Sequence, residues 1–185
     1  LWQYLDKLGF SATQIAWSYS CTSIAAILSP VLVGVIADRY FSAQKVLACL
    51  HLGGAVLLLV ITQQTDFRSF MPMLLLYALT YMPTIAITNS IAFKNLADTE
   101  RTFPRVRVLG TIGWIFSGLT VGFIPTMLGF EDISATSIPF VVTSAASVLL
   151  AVYALYLPDT PPQSANTKID VKELLGLNAL GLLKD

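Results

Sequence analysis

FPRVRVLGTIGWIF, residues Phe103 to Phe116, drives the cation Arg107 into the start of an apolar run that continues to Leu128. In hydrocarbon an arginine near mid-bilayer costs about 2.5 to 3.5 kcal/mol on insertion scales, so such a charge usually faces a protein interior or a wet cavity and marks a pathway. The same stretch sets Thr111, Trp114 and Gly118 at offsets of 4, 7 and 11 from Arg107, which is one helical face. A guanidinium, a hydroxyl and an indole on one stripe can donate to carbonyl and hydroxyl oxygens and stack on a flat ring. Arg107 could instead snorkel to headgroups one turn away while Trp114 packs, and the residues alone leave both readings open.

Composition fixes the solvent outward from this stretch. With 55% hydrophobic residues, 12% charged residues and a mean hydropathy of +0.71, the chain has too little polar surface for a water-soluble globule. Five apolar stretches approach the length of about 20 residues that a helix needs to cross about 30 Å of hydrocarbon. They run from Thr13 to Ile36, Val46 to Gln63, Phe70 to Phe93, Val108 to Leu128 and Ile138 to Leu157. Alternating ten-residue segments of barrel type are absent, and helices are the other structure that satisfies its own backbone in lipid. The expectation is an all-α membrane protein with five transmembrane helices.

Orientation follows from the cations, because short loops rich in Lys and Arg stay on the cytoplasmic side. Arg39 and Lys45, then Lys94, Arg101, Arg105 and Arg107, then Lys168, Lys172 and Lys184 fall in one set of connections, against Lys7 and Arg68 in the other. Residue 1 is therefore expected outside and the tail inside. The zero net charge averages two unlike faces and says nothing of partners.

An opening LWQYLDKLGFSATQ without an initiating Met, basic leader or cleavage signal suggests that something precedes it. The other end has LPDTPPQSANTK, a Pro-rich polar linker, and then an amphipathic KIDVKELLGLNALGLLKD that stops abruptly. The expected organisation is a partial transmembrane bundle over 1–158, and a cytoplasmic linker with the start of a central connection over 159–185. Cys21 and Cys49 have no paired spacing and read as small core residues, and His51 as a packing or capping group. Neither a metal cluster, a nucleophile with base and orienter, nor a phosphate-binding G-x-x-x-x-G-K-[ST] loop occurs, which argues against an enzyme or direct coupling to ATP. No cofactor or nucleic-acid partner is expected; an ion gradient is the candidate energy source.

The connection Gly34 to Lys45, GVIADRYFSAQK, resembles the G-x-x-x-D-R loop between the second and third helices of the major facilitator superfamily. Gly34 permits close helix approach, Asp38 can pair across the bundle, and Arg39 and Lys45 hold the loop at an anionic surface. In that superfamily this loop latches the outward-facing state, which makes Gly34, Asp38 and Arg39 the candidate latch. The later glycine and basic pair of the common pattern are replaced by Phe41, Ser42 and Ala43.

ADRYFSAQKV (Ala37 to Val46), TYMPTIAITNSIAF (Thr80 to Phe93) and FPRVRVLGTIGW (Phe103 to Trp114) together resemble the nucleoside:proton symporter family of that superfamily. The resemblance implies twelve helices in two six-helix halves with a site near the membrane midplane between them. This chain would then be an N-terminal half, spans two to six, without the first helix and without the second half. It implies a bacterial inner-membrane transporter taking up nucleosides with protons, with Arg107, Thr111 and Trp114 lining the substrate site. A major facilitator of another small solute, such as a sugar or drug, is the alternative; a non-transporting scaffold is more distant. Asp38 lies at a span edge and every other carboxylate in a loop or tail, so a coupling acid is expected outside this chain.

From the residues again, Pro104 suits a helix start and should push Phe103 out of the helix. Gly118 and Gly122 form G-x-x-x-G, which favours close helix contact. Tyr19, Tyr77 and Tyr81 are candidates for lining a cavity.

Overall fold

Local signals place the helix starts. Ser11 and Gln14 cap the first long helix reciprocally, Ser11 N–H donating to Gln14 Oε1 at 2.8 Å and Gln14 N–H to Ser11 Oγ at 3.3 Å. Asp66 and Asp98 cap two others, accepting from the N–H of Arg68 at 2.9 Å and of Arg101 at 3.1 Å. Gly9 supplies the left-handed residue, φ +81°, that ends the short opening helix.

The computed structural model describes residues 1–129 and 133–162, without the side chains of 30–39. Described residues that are regular are all helical: α1 (Trp2–Lys7), α2 (Ala12–Arg39), α3 (Ala43–Ile61), α4 (Phe67–Asn95), α5 (Thr99–Gly118), a π turn (Leu119–Phe123), α6 (Ile124–Met127), a 3-10 turn (Ile133–Ala135) and α7 (Ile138–Ala154). Five long helical rods stand where five spans were expected. Ala43–Ile61, Phe67–Asn95 and the continuous Thr99–Met127 are each long and apolar enough to cross a membrane, while α7 is a shorter apolar helix of 17 residues. The protein is a helical membrane protein.

The connections are shorter than the sequence suggested. α2 runs through Arg39 and α3 starts at Ala43, so Gly34, Asp38 and Arg39 belong to the end of a helix and only residues 40–42 turn the chain. Likewise α4 ends at Asn95 and α5 starts at Thr99, leaving 96–98 as the turn. Charge alone points to loop, yet Lys and Arg are good helix formers, and the last helical turns outside hydrocarbon accept them readily. Phe103 is helical too, with Pro104 inside α5. Pro104 is the sixth residue of α5, so the N–H it lacks removes the regular helical bond to the Glu100 carbonyl.

Two hydrophobic clusters hold opposite ends. At one end Tyr4, Leu5, Phe10, Ile15, Ile61 and Phe70 pack together, with the Phe10 ring edge-on to Phe67 and Phe70 at 5.8 and 5.5 Å and Tyr4 edge-on to Phe140 at 5.2 Å. At the other, Ala43, Val46, Leu47, Ile87, Ile91 and Ala154 form the core. The turns at 40–42 and 96–98 and the exit from α7 therefore share one end, and the 62–66 and 133–137 connections share the other. Glu131 and Asp132 lie outside the described residues.

Lipid gives helices no hydrophobic reason to associate, so close packing and interhelical hydrogen bonds decide. α7 presents a stripe of small residues, Ser144, Ser147, Ala151 and Ala154, all buried. Ser144 Oγ donates to the Ala55 carbonyl of α3 at 2.9 Å. On the preceding residue of α3, a Cβ added to Gly54 would sit 3.3 Å from Thr80 Oγ1 and 3.6 Å from the Tyr77 ring of α4. This glycine, not Gly118 or Gly122, occupies a close approach, since those two face open space. Cys21 is buried as expected, but Cys49 is exposed on α3.

Gly54→Leu should therefore separate α3 from α4 and lower the thermal midpoint of the purified protein by several degrees. Ser144→Ala should lower it only slightly, since one interhelical bond in a membrane is worth about 0.6 kcal/mol on average. A Gly54→Leu midpoint equal to the parent's would remove the close-contact account.

Candidate functional site

The stripe on α5 forms as its spacing dictates. Arg107, Thr111, Trp114 and Gly118 lie within one continuous helix and share a face, Arg107 and Trp114 being two turns or about 10 Å apart along the axis. None of α5 is buried, and Trp114 is 82% exposed. The helix touches the bundle at its base, where the Phe93 and Phe103 rings lie 4.3 Å apart. All three side chains are thus unobstructed by any other part of the described chain.

Hydroxyl chemistry separates Thr111 from the other threonines of the spans. Thr80, Thr84, Thr88 and Thr143 each donate back to a carbonyl of their own helix at 2.8, 2.6, 2.7 and 2.7 Å. These are committed groups. Thr111 Oγ1 stands 3.5 Å from the Arg107 carbonyl, at the outer limit for a hydrogen bond, so its donor is held weakly and is available to another acceptor. Above the stripe, the π turn Leu119–Phe123 interrupts the α-helical ladder ahead of Pro125. π turns of this kind are frequent at functional sites.

A cavity of about 270 Å³ lies elsewhere, among α1, α2, α4 and α7, lined by Leu1, Tyr4, Ser18, Thr22, Tyr77, Tyr81 and Thr143 among others. Tyr77 and Tyr81 stack at 6.0 Å on its wall. Two of the three tyrosines singled out in the sequence therefore line a cavity, and Tyr19 is exposed instead. No stripe residue reaches it. Its lining is mostly apolar and includes the chain's first residue. The stripe joins a cation, a weakly held hydroxyl and an exposed indole, whereas the cavity offers chiefly hydroxyls on a mostly apolar wall, so the stripe is the candidate substrate site.

The candidate latch is placed only in part. Backbone geometry sets Gly34, Asp38 and Arg39 in the last two turns of α2, at the end of the bundle that carries the 96–98 turn, and their side chains lie outside the described residues. Residues 163–185, with Lys168, Lys172, Lys184 and the amphipathic segment, are outside them as well. Among the described residues there is no group of three or more potential metal ligands.

Comparison with known proteins agrees with this architecture. YegT of Escherichia coli (strain K12), named as a candidate nucleoside transporter, is 62% identical over 185 residues, covering 100% of this chain and 43% of that protein. The xanthosine permease and the nucleoside permease NupG of the same organism are each 32% identical, over 98% and 96% of this chain and 43% and 42% of their own lengths. The crystal structure of nucleoside transporter NupG superposes with a TM-score of 0.80 at 30% identity, covering 99% of this chain and 44% of that one; a point variant of it reaches 0.84 at 29% identity. The chain thus spans a little under half the length of the relatives it matches, and its bundle is of the major facilitator type. These relatives are transporters and permeases, not enzymes. The nucleoside H+ symporter model matches residues 1–185 without remainder, and the chain belongs to that family.

Proposed function

We propose that the protein of which this chain forms the N-terminal part takes up nucleosides with protons across a bacterial inner membrane. The match of the whole chain to the symporter family supports this most directly, and the composition of the α5 stripe agrees with it. The chain supplies spans two to six of twelve, and a preceding helix and a second six-helix half complete the cavity around the stripe. Residue 1 lies outside and the tail in the cytoplasm, a reading that the nine-to-two bias of the eleven cations supports. The proton gradient supplies the energy without a cofactor, through an acid in the rest of the protein. Uptake of labelled uridine by cells expressing the full-length protein should collapse on adding a protonophore. Uptake that persists unchanged would remove proton coupling.

Arg107 donates to a base or ribose oxygen of the nucleoside, Thr111 donates beside it, and Trp114 walls or stacks on the base. Arg107→Lys keeps the charge but loses the planar fork, so it should weaken nucleoside binding nearly as much as Arg107→Ala. Losing one buried, charge-assisted bond costs about 1.5 to 3 kcal/mol, roughly ten- to a hundredfold in affinity. Calorimetric titration of uridine into the purified full-length protein reads this directly. A snorkelling arginine would tolerate Lys, and parental affinity in Arg107→Lys would dismantle the site.

Gly34, Asp38 and Arg39 act as the latch of the outward-facing state, at the end of α2. Asp38→Asn should slow uridine counterflow severalfold while leaving equilibrium binding within about twofold, because a change confined to the balance of states alters cycling more than contact with substrate. Parental counterflow would reduce this segment to a topology signal.

A further inference from the structure

The first residues beyond α7 do not simply leave the bundle. Thr160 is 2% exposed and its polar atoms are bonded on every side. Its N–H donates to Gln44 Oε1 at 3.0 Å, its carbonyl accepts from the Ala43 N–H at 3.0 Å, and its hydroxyl donates to the Pro158 carbonyl at 3.0 Å while accepting from Asn95 Nδ2 at 3.1 Å. Gln44, itself 5% exposed, spends its other end on Asp159, Nε2 donating to Oδ1. Three elements thus meet on one threonine: the start of α3, the end of α4 and the exit from α7.

The arrangement replaces a local device. Ser42 is the N-cap residue of α3, yet its hydroxyl makes no capping bond and is buried without a partner. An orphan N–H of the helix start is satisfied instead by the Thr160 carbonyl, from a segment 117 residues further along the chain. A buried glutamine using both ends of its amide on one foreign segment is costly to leave half-satisfied, which makes the contact all-or-none.

We propose that Gln44 and Asn95 are positioning residues that form a receptor for Pro158–Thr160, a clasp that binds the ends of α3, α4 and α7 into one rigid unit. The clasp fixes the point where the chain leaves the bundle, on Ala43 and Gln44 directly after the α2–α3 turn, so the connection to the remainder of the protein pulls on that turn and not on α7 alone. This consequence rests on the transporter reading above; the clasp itself does not.

The test uses the full-length protein with Gln44→Ala, Asn95→Ala and Thr160→Ser. By amide hydrogen exchange, Thr160 and Ala43 should be protected in the parent and in Thr160→Ser, and should exchange at least tenfold faster in Gln44→Ala, with Leu58 to Ile61 unchanged. In Gln44→Ala and Asn95→Ala uridine exchange across the membrane should fall at least threefold with equilibrium binding within twofold, a split that loss of folding would not give. Rapid exchange of Thr160 in the parent overturns the clasp. Parental uridine exchange in a variant whose clasp has opened overturns its part in transport. A parent that binds no uridine overturns the substrate reading, and the amide data then judge the clasp by themselves.

Discussion

Adjacent residues of α3, Gly54 and Ala55, carry the constraint on which the bundle depends. Gly54 gives up a side chain so that α4 can approach to contact distance, and the carbonyl of Ala55 takes the Ser144 hydroxyl from α7 on the other flank. Because lipid solvates apolar side chains as well as a neighbouring helix does, fit and hydrogen bonding must supply what burial supplies in water. α4 and α7 are both referred to α3 by these contacts. α2 is then referred to α4 through the cluster in which Ile15, Cys21 and Ala25 pack with Phe70, Leu74 and Ala78, and α5 hangs from the end of α4.

A polar atom in a span is therefore not by itself evidence of a pathway. Most threonine hydroxyls here bond to the preceding turn of their own helix and ask nothing of a neighbour. α5 differs because it concentrates a cation, a loosely held hydroxyl and a large ring on one face, on the helix least engaged with the rest of the chain. A helix held at its base, with no buried residue along its length, is suited to meeting a surface that the described residues do not provide.

The spans were legible because length and hydropathy act on whole stretches of about 20 residues, where single-residue preferences average out. The Arg107 stripe was legible for a related reason, since helical register alone puts offsets of 4 and 7 on one face. Helix ends were not: Asp38, Arg39 and Lys94 look like loop by charge and are helical because water beyond the hydrocarbon tolerates them in a final turn. Gly118 and Gly122 had the local pattern of a contact and lack the neighbour, while Gly54 has the neighbour, and only the fold supplies that. Thr160 was hidden inside a Pro-rich polar segment, because its bonding partners lie 65 and 116 residues away.

The π turn at Leu119–Phe123 also limits how far the stripe can extend. One residue added to a helical turn rotates everything beyond it by roughly 100°. Ile124 to Met127 consequently carry on along the same axis with a different azimuth, and the face that begins at Arg107 stops at Gly118. A single membrane-length rod is thereby divided into two registers, each able to address a different neighbour, so the polar half and the apolar half of the same helix can be shaped independently of one another.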